Sequence, residues 1–345
     1  MRVSDYTSLL EKSLPKGRRL LVVGPPGVGK TVAKMETCRR LGWDYIPICT
    51  PLCDPAFLLG YPFRENGHAE HIPFGPMARA LGAVKPTLLD FDELGGATEA
   101  VIKAALRLFQ FGEVGSKRLP DCVTLGASSN DVTHGAGVMG LFEPMKDRFH
   151  SIINVEPHID DTVTYGLARG WPSDLLAYLR NDPSSLMDWK PVRSMQSGGA
   201  TPRGWGDVAG WINLGVDDSE VICGKVGKAA GTKYLAFRGL INELPDIDGV
   251  LMNPDTASVP ENPSARYLVA MALASRMSGS NFGQAATYLH RMPAMFEAFA
   301  VRDALRAESQ KRADGLLPKG YQVISSGRDF VAWSVTPVAK SIQSA

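Results

Sequence analysis

The chain has 345 residues, 44% of them hydrophobic and 21% charged, with a net charge of +1. That is the balance of an ordinary globular protein long enough for two or three domains, without the basic footprint of a dedicated nucleic-acid binder. No apolar run reaches membrane-spanning length and "MRVSDYTSLLEKSLPKGRR" carries no signal-peptide core, so a soluble, cytoplasmic protein with no membrane contact is expected.

In chain order, an apolar run at Arg19–Val23 predicts a first strand, and the segment from Gly29 to about Leu41 a helix. Further strands are expected at Asp44–Ile48, Thr87–Phe91, Cys122–Ala127 and Ser151–Val155, with helices at Thr98–Phe109 and Leu141–Asp147 between them. Alternating strands and helices predict a three-layer α/β/α unit with a mainly parallel sheet. After Pro157 the pattern turns helical, predicting a lid-like domain over 158–250. The stretch "LMNPDTASVPENPS" is rich in turn formers and reads as a linker. Helices near 264–278 and 281–309 follow, the second bent or broken at Pro293, and Met271, Met277, Met292 and Met295 are expected in their core. The expected domains are thus 1–157, 158–250 and 251–345.

The five cysteines are scattered and odd in number, which suits reduced thiols. Cys49 and Cys53 have no second close pair to complete a zinc site, and His68, Glu70 and His71 lie among turn residues. No metal is assigned beyond the ion that accompanies a nucleotide.

The residues Gly24, Pro25, Pro26, Gly27, Val28, Gly29, Lys30 and Thr31 spell "GPPGVGKT", which matches G-x-x-x-x-G-K-[ST]. Glycines let successive backbone N–H groups curl round a phosphate at the positive end of the next helix. Lys30 can reach the β- and γ-phosphates of ATP, and Thr31 can offer a hydroxyl to Mg²⁺. "TLLDFDE" reads as a buried strand ending in acids, whose tip points to the crevice where ligands of open α/β sheets bind. Asp92 is expected to hold Mg²⁺ and Glu93 to polarise the attacking water, while Asp90, on the same strand face, competes for the metal role. A glutamate that activates water favours ATP hydrolysis over a small-molecule kinase, and no Asn-Lys-x-Asp guanine motif occurs. "CVTLGASSN" places Asn130 at a third strand tip, where it can hydrogen-bond the water or the γ-phosphate. Arg148, in "EPMKDRFHS", projects from a rim from which it can reach only a neighbouring subunit's phosphate, and Arg203, in "TPRGW", can lean over the nucleotide from the second domain.

With these motifs in order, residues 17–250 resemble the AAA+ ATPases, and within them the MoxR branch. The resemblance puts sensor 1 at Asn130, the arginine finger at Arg148 and sensor 2 at Arg203. The segment 54–81 resembles a helix-2 insert, and "VGKAAGTKYLAFRGLI" a lid segment of phage and bacterial members. It implies a homo-oligomeric ring, commonly a hexamer, with ATP at subunit interfaces. It also implies chaperone-like remodelling of a client, with a separate von Willebrand factor A domain protein as the expected partner. The second reading is a nucleic-acid machine of the branch-migration or loader type, less favoured because the insert pairs Arg64 with Glu65 and Glu70. The third is a P-loop kinase or nucleotide switch.

Overall fold

The sheet is built from period-two strands whose two faces bury different cores. In this computed structural model the described residues are 1–65, 68–131, 140–188, 198–240 and 244–343. The chain divides into two units, Met1–Glu156 and Pro157–Ala345.

The first unit contains helices α1 (Val3–Ser13), α2 (Lys30–Leu41), α3 (Pro55–Leu59), α4 (Gly75–Leu81), α5 (Glu99–Phe111) and α6 (Glu143–Lys146). Its strands are β1 (Leu20–Val23), β2 (Asp44–Cys49), β3 (Tyr61–Glu65), β4 (His68–Ile72), β5 (Thr87–Asp92), β6 (Glu113–Val114), β7 (Lys117–Arg118), β8 (Val123–Ser129) and β9 (Ser151–Asn154). Five of them form a parallel sheet in the order β2-β5-β8-β1-β9, with Leu21 beside Ala127 and Asp90 beside Gly126. On one face Leu20, Val22 and Leu88 pack with Tyr6 and Leu10 of α1 and Ala33 of α2. On the other, Leu21, Leu89, Phe91 and Ala127 pack with Val101, Ala105 and Phe109 of α5 and Met145 of α6. This is the expected three-layer α/β/α core. The alternation in β5 decides where its acids go: Asp90 and Asp92 share the side of Leu88 and face α2, whereas Leu89 and Phe91 face α5.

The chain leaves β1 for α2 on one face and β8 for α6 on the other. The crevice between the carboxyl ends of β1 and β8 is therefore the switch point at which such sheets bind ligands. The segment expected as a helix-2 insert carries α3, α4 and the antiparallel hairpin β3–β4; residues 66–67 of that segment lie outside the described residues. Neither the hairpin nor α1 was expected. Helix α1 buries Tyr6 and Leu10, and Leu14 follows them into the same core.

The second unit is helical: α7 (Ile159–Ala168), α8 (Ser173–Asn181), α9 (Pro202–Asn213), α10 (Ser219–Val226), α11 (Lys228–Arg238), α12 (Ile247–Met252), α13 (Pro263–Arg276), α14 (Phe282–His290), α15 (Ala294–Ala313), α16 (Arg328–Trp333) and α17 (Pro337–Gln343). Residues 189–197 and 241–243 of the expected lid lie outside the described residues. One apolar core runs from Val163 through Trp205, Tyr234 and Met271 to Ala339. The turn-rich stretch after α12 is pinned to its surroundings, with Tyr288 Oη donating to Ser258 O at 2.6 Å and Arg266 Nε to Pro260 O at 2.7 Å. The break at Pro293 is as expected, since α14 stops at His290 and Pro293 precedes α15. Met271, Met277 and Met292 are buried, but Met295 is 54% exposed. It falls off the α15 face that buries Phe296, Phe299 and Ala300.

Charges join these helices as well as apolar contacts. Arg180 of α8 forks onto Asp303 of α15 at 2.9 and 2.7 Å and also donates to Asp160 of α7. Arg302 and Arg306 add bonds to Asp160 at 3.1 and 3.3 Å.

Candidate active site

The loop after β1 is shaped by backbone. Gly27 and Gly29 adopt φ of 76° and 107°, a region that favours glycine. Gly24 lies against β9's exit, and a Cβ there would lie 2.5 Å from Val155 O. Its N–H donates to Ser129 O at 3.3 Å, tying the loop to the end of β8. Helix α2 then begins at Lys30 behind Gly29, with no side chain capping its amino end. A curled glycine loop running into an uncapped helix start is an anion cradle.

Lys30 is 9% exposed and its ammonium stays at the loop, donating to Gly24 O at 2.7 Å, Pro25 O at 3.0 Å and Asn130 Oδ1 at 2.9 Å. The structure thus brings the loop lysine and the tip of β8 together. Thr31, one residue on, donates its hydroxyl to Asp92 Oδ2 at 3.0 Å. Burial pushes the Asp92 carboxyl up, but the Lys34 ammonium and hydrogen bonds from Ser128, Thr31 and the Glu93 N–H more than offset it and hold it below the usual carboxylate range. Asp92 is an anion at neutral pH.

Asp90 and Asp92 share a strand face, and their partners separate them. Asp90 is fully buried, with Lys34 Nζ at 2.5 Å on one oxygen and Tyr45 Oη at 2.7 Å on the other. Asp92 faces Thr31 at the crevice. Glu93 is exposed at the strand tip with φ of 57°, the one non-glycine residue at positive φ among those described. Such a conformation costs about 1–3 kcal/mol and is kept where surrounding bonds enforce it. Here the Glu93 N–H donates to Asp92 Oδ1 at 3.1 Å, and its carbonyl accepts from Gly96 N at 2.8 Å.

Arg148 lies elsewhere. It follows α6 and precedes β9, at the amino ends of β1 and β9, where Arg19 N donates to His150 Nδ1 at 2.9 Å. Four residues of β1 separate that end from the phosphate loop, about 13 Å of strand. Arg148 Nη1 bonds the exposed Asp147 at 3.0 Å, and its buried Nε has no hydrogen-bond partner among the described residues. Burial, then the neighbouring Arg148 guanidinium, lower the pKa of Arg19. Arg203 belongs to the second unit, exposed at the second position of α9 behind the Thr201 cap, whose hydroxyl accepts from Gly204 N at 2.9 Å.

Sequence reasoning passed over Lys34, Tyr45 and Ser128. A signal for them was present, because an acid inside the apolar run of β5 demands a buried cation, and Lys34 lies one helical turn beyond Lys30.

The oxygen pair of Thr31 and Asp92 fits Mg²⁺, which needs only one or two carboxylates beside phosphate and water. Among the described residues no group of three or more His, Cys, Asp or Glu gathers as a closed metal cage. No described helix is long and apolar enough to cross a membrane.

No family model matches the chain. No curated protein matches it either. Among solved structures it is similar to an ATPase candidate of Cytophaga hutchinsonii, at 24% identity over 44% of this chain and 46% of that one, with a TM-score of 0.34. The chain therefore spans less than half of that protein's length. It is also similar to the RuvB Holliday junction branch migration motor of Thermotoga maritima, at 16% identity over 74% of this chain and 75% of that one (TM-score 0.38). A third is NtrX of Brucella abortus in complex with ADP, at 12% identity over 99% of this chain and 68% of that one (TM-score 0.42). Likenesses this low carry no functional argument, which rests on the site itself.

Proposed function

We propose that the chain is an AAA+ ATPase that hydrolyses the β–γ phosphoanhydride of ATP to ADP and phosphate. The observation that carries this is the meeting of four groups at the switch point: the glycine loop, Lys30, the Thr31–Asp92 pair and Glu93. The backbone of residues 24–31 cradles the phosphates and Lys30 neutralises their charge. Thr31 and Asp92 would hold Mg²⁺, which supplies charge neutralisation to the phosphate oxygens. The engagement of Asp90 by Lys34 and Tyr45 supports Asp92 as the metal-side acid. Glu93, exposed beyond it, polarises the attacking water, and Asn130 orients it from the tip of β8.

Arg148 acts on a neighbouring subunit's nucleotide, a reading supported by its place at the far end of β1 from the glycine loop. Arg203 serves as sensor 2. The lid of 158–250 and the extension of 251–345 share one core, which supports their moving together. Within the superfamily we read the chain as MoxR-like: a cytoplasmic ring, commonly six subunits, that remodels a client with a separate von Willebrand factor A domain partner. Salt-dependent binding to DNA in place of any protein partner would move the reading to a nucleic-acid machine. The direct test is equilibrium binding of Mg-ATP to Lys30→Ala. Loss of binding is expected, and wild-type affinity would overturn the phosphate-loop assignment.

A further inference from the structure

Three buried polar side chains, Lys34, Asp90 and Ser128, and the partly buried Tyr45 sit behind the loop with no place in phosphate or metal contact. Lys34 and Ser128 are 1% and 0% exposed. They do not form a simple ion pair. Lys34 Nζ lies 2.5 Å from Asp90 Oδ1 and 3.0 Å from Ser128 Oγ, and Ser128 Oγ is bonded in turn to Asp92 Oδ1.

The direction of these bonds follows from chemistry alone. A lysine ammonium has donors and no acceptor, and a serine hydroxyl has one proton. Ser128 must accept from Lys34, so its proton goes to Asp92 Oδ1. That oxygen also accepts the Glu93 N–H at 3.1 Å. With Oδ1 doubly occupied, Oδ2 is the oxygen turned to Thr31, at 3.0 Å. Asp90 anchors the start of the chain of bonds, and Tyr45 Oη, donating at 2.7 Å, fixes Asp90. Gly126 lies against the anchor: a Cβ there would crowd Leu88 Cδ1 at 3.1 Å and make ordinary contact with Asp90 at 3.5 Å.

The geometry points to Lys34 as a positioning residue: through Ser128 it fixes the rotamer of the Asp92 carboxylate, and through Asp92 it holds the left-handed turn that presents Glu93. This deepens the Mg-ATP reading and rests on it. A buried pair serving stability alone would leave the metal response unchanged when the serine link is cut.

Two variants of the full chain test this. Ser128→Ala cuts the link while leaving Lys34 paired with Asp90, so no buried charge is stranded. Lys34→Met/Asp90→Asn removes both charges together and keeps an acceptor for Tyr45. Binding of a ribose-labelled fluorescent ATP is followed in EDTA and across a Mg²⁺ titration. Metal-free affinity should stay at the wild-type value, while the Mg²⁺ concentration that half-saturates the metal-dependent change rises about tenfold. Either variant suffices. A metal response at the wild-type concentration overturns the inference. Wild-type protein that binds no labelled ATP overturns the nucleotide reading, and is recognised without any variant.

Discussion

Gly24 and Glu93 bracket the site and fail in opposite ways. A Cβ at Gly24 would lie 2.5 Å from a backbone oxygen and 2.8 Å from Val155 Cγ2. Gly24→Ala should therefore lower stability by about 1–3 kcal/mol through overpacking, read as a shifted denaturant midpoint. Glu93 spends conformational energy to stand at φ 57°. Glu93→Gly should raise stability by about 1 kcal/mol, because glycine occupies that region without a Cβ clash, while phosphate release is lost. An unchanged melting point together with unchanged turnover would show that neither strain nor catalysis resides there. The residues of the loop and of the β5 tip were legible because their chemistry constrains both type and spacing. Lys34 and Ser128 were not, because a lysine on a helix and a serine in a strand are ordinary until the fold places them between two aspartates.

At the scale of elements, the five core strands appeared within a residue or two of their expected positions, since each is a short buried apolar run bounded by turn formers. Helix α1 was missed although Tyr6, Leu10 and Leu14 repeat at helical spacing, because its polar residues outnumber them. The hairpin β3–β4 was missed for a different reason. Tyr61, Phe63 and Ile72 are exposed, so the described side chains of its strands offer no buried face to impose an alternating pattern.

The second unit's ion network was also invisible in sequence, as Asp160, Arg180 and Asp303 lie far apart along the chain. Asp303 is fully buried under Arg180. Asp303→Ala would leave Arg180 Nε and Nη2 without their acceptors, with only Nη1 still held by Asp160, and should cost about 1–3 kcal/mol by chemical denaturation. Asp160 is pushed up by burial, but Arg180, Arg302 and Arg306 overcome this and lower its pKa to about 2. A carboxylate whose folded pKa is depressed contributes stability above its unfolded value of about 3.9 and loses it as pH falls toward the folded one. Asp160's own contribution should accordingly be lost between about pH 4 and pH 2, against the opposite trend of Asp303, whose carboxyl burial pushes up, and Asp160→Asn should remove that part of the stability profile. A profile unchanged by the substitution would assign acid sensitivity to other groups.

At the scale of the whole molecule, the two units keep separate cores, with the phosphate loop and Arg148 at opposite ends of β1 in the first. A chain built this way cannot bring Arg148 to its own nucleotide without dismantling the sheet. Arg148→Ala should leave ATP binding intact and lower turnover of the assembled protein about 10³-fold or more, by analogy with other trans-acting arginines. Light scattering on Glu93→Gln should show Mg-ATP driving a ring of subunits; a nucleotide-bound monomer would return Arg148 to the role of a surface residue.

The most direct measurement is phosphate release from Mg-ATP by wild type and Glu93→Gln, with ATP binding measured on the same samples. Wild type should turn over, and the variant should bind ATP as tightly while releasing phosphate about 10²-fold or more slowly. A variant that hydrolyses at the wild-type rate would contradict the assignment of the water-activating base, and wild-type protein that binds ATP without releasing phosphate would contradict hydrolysis itself.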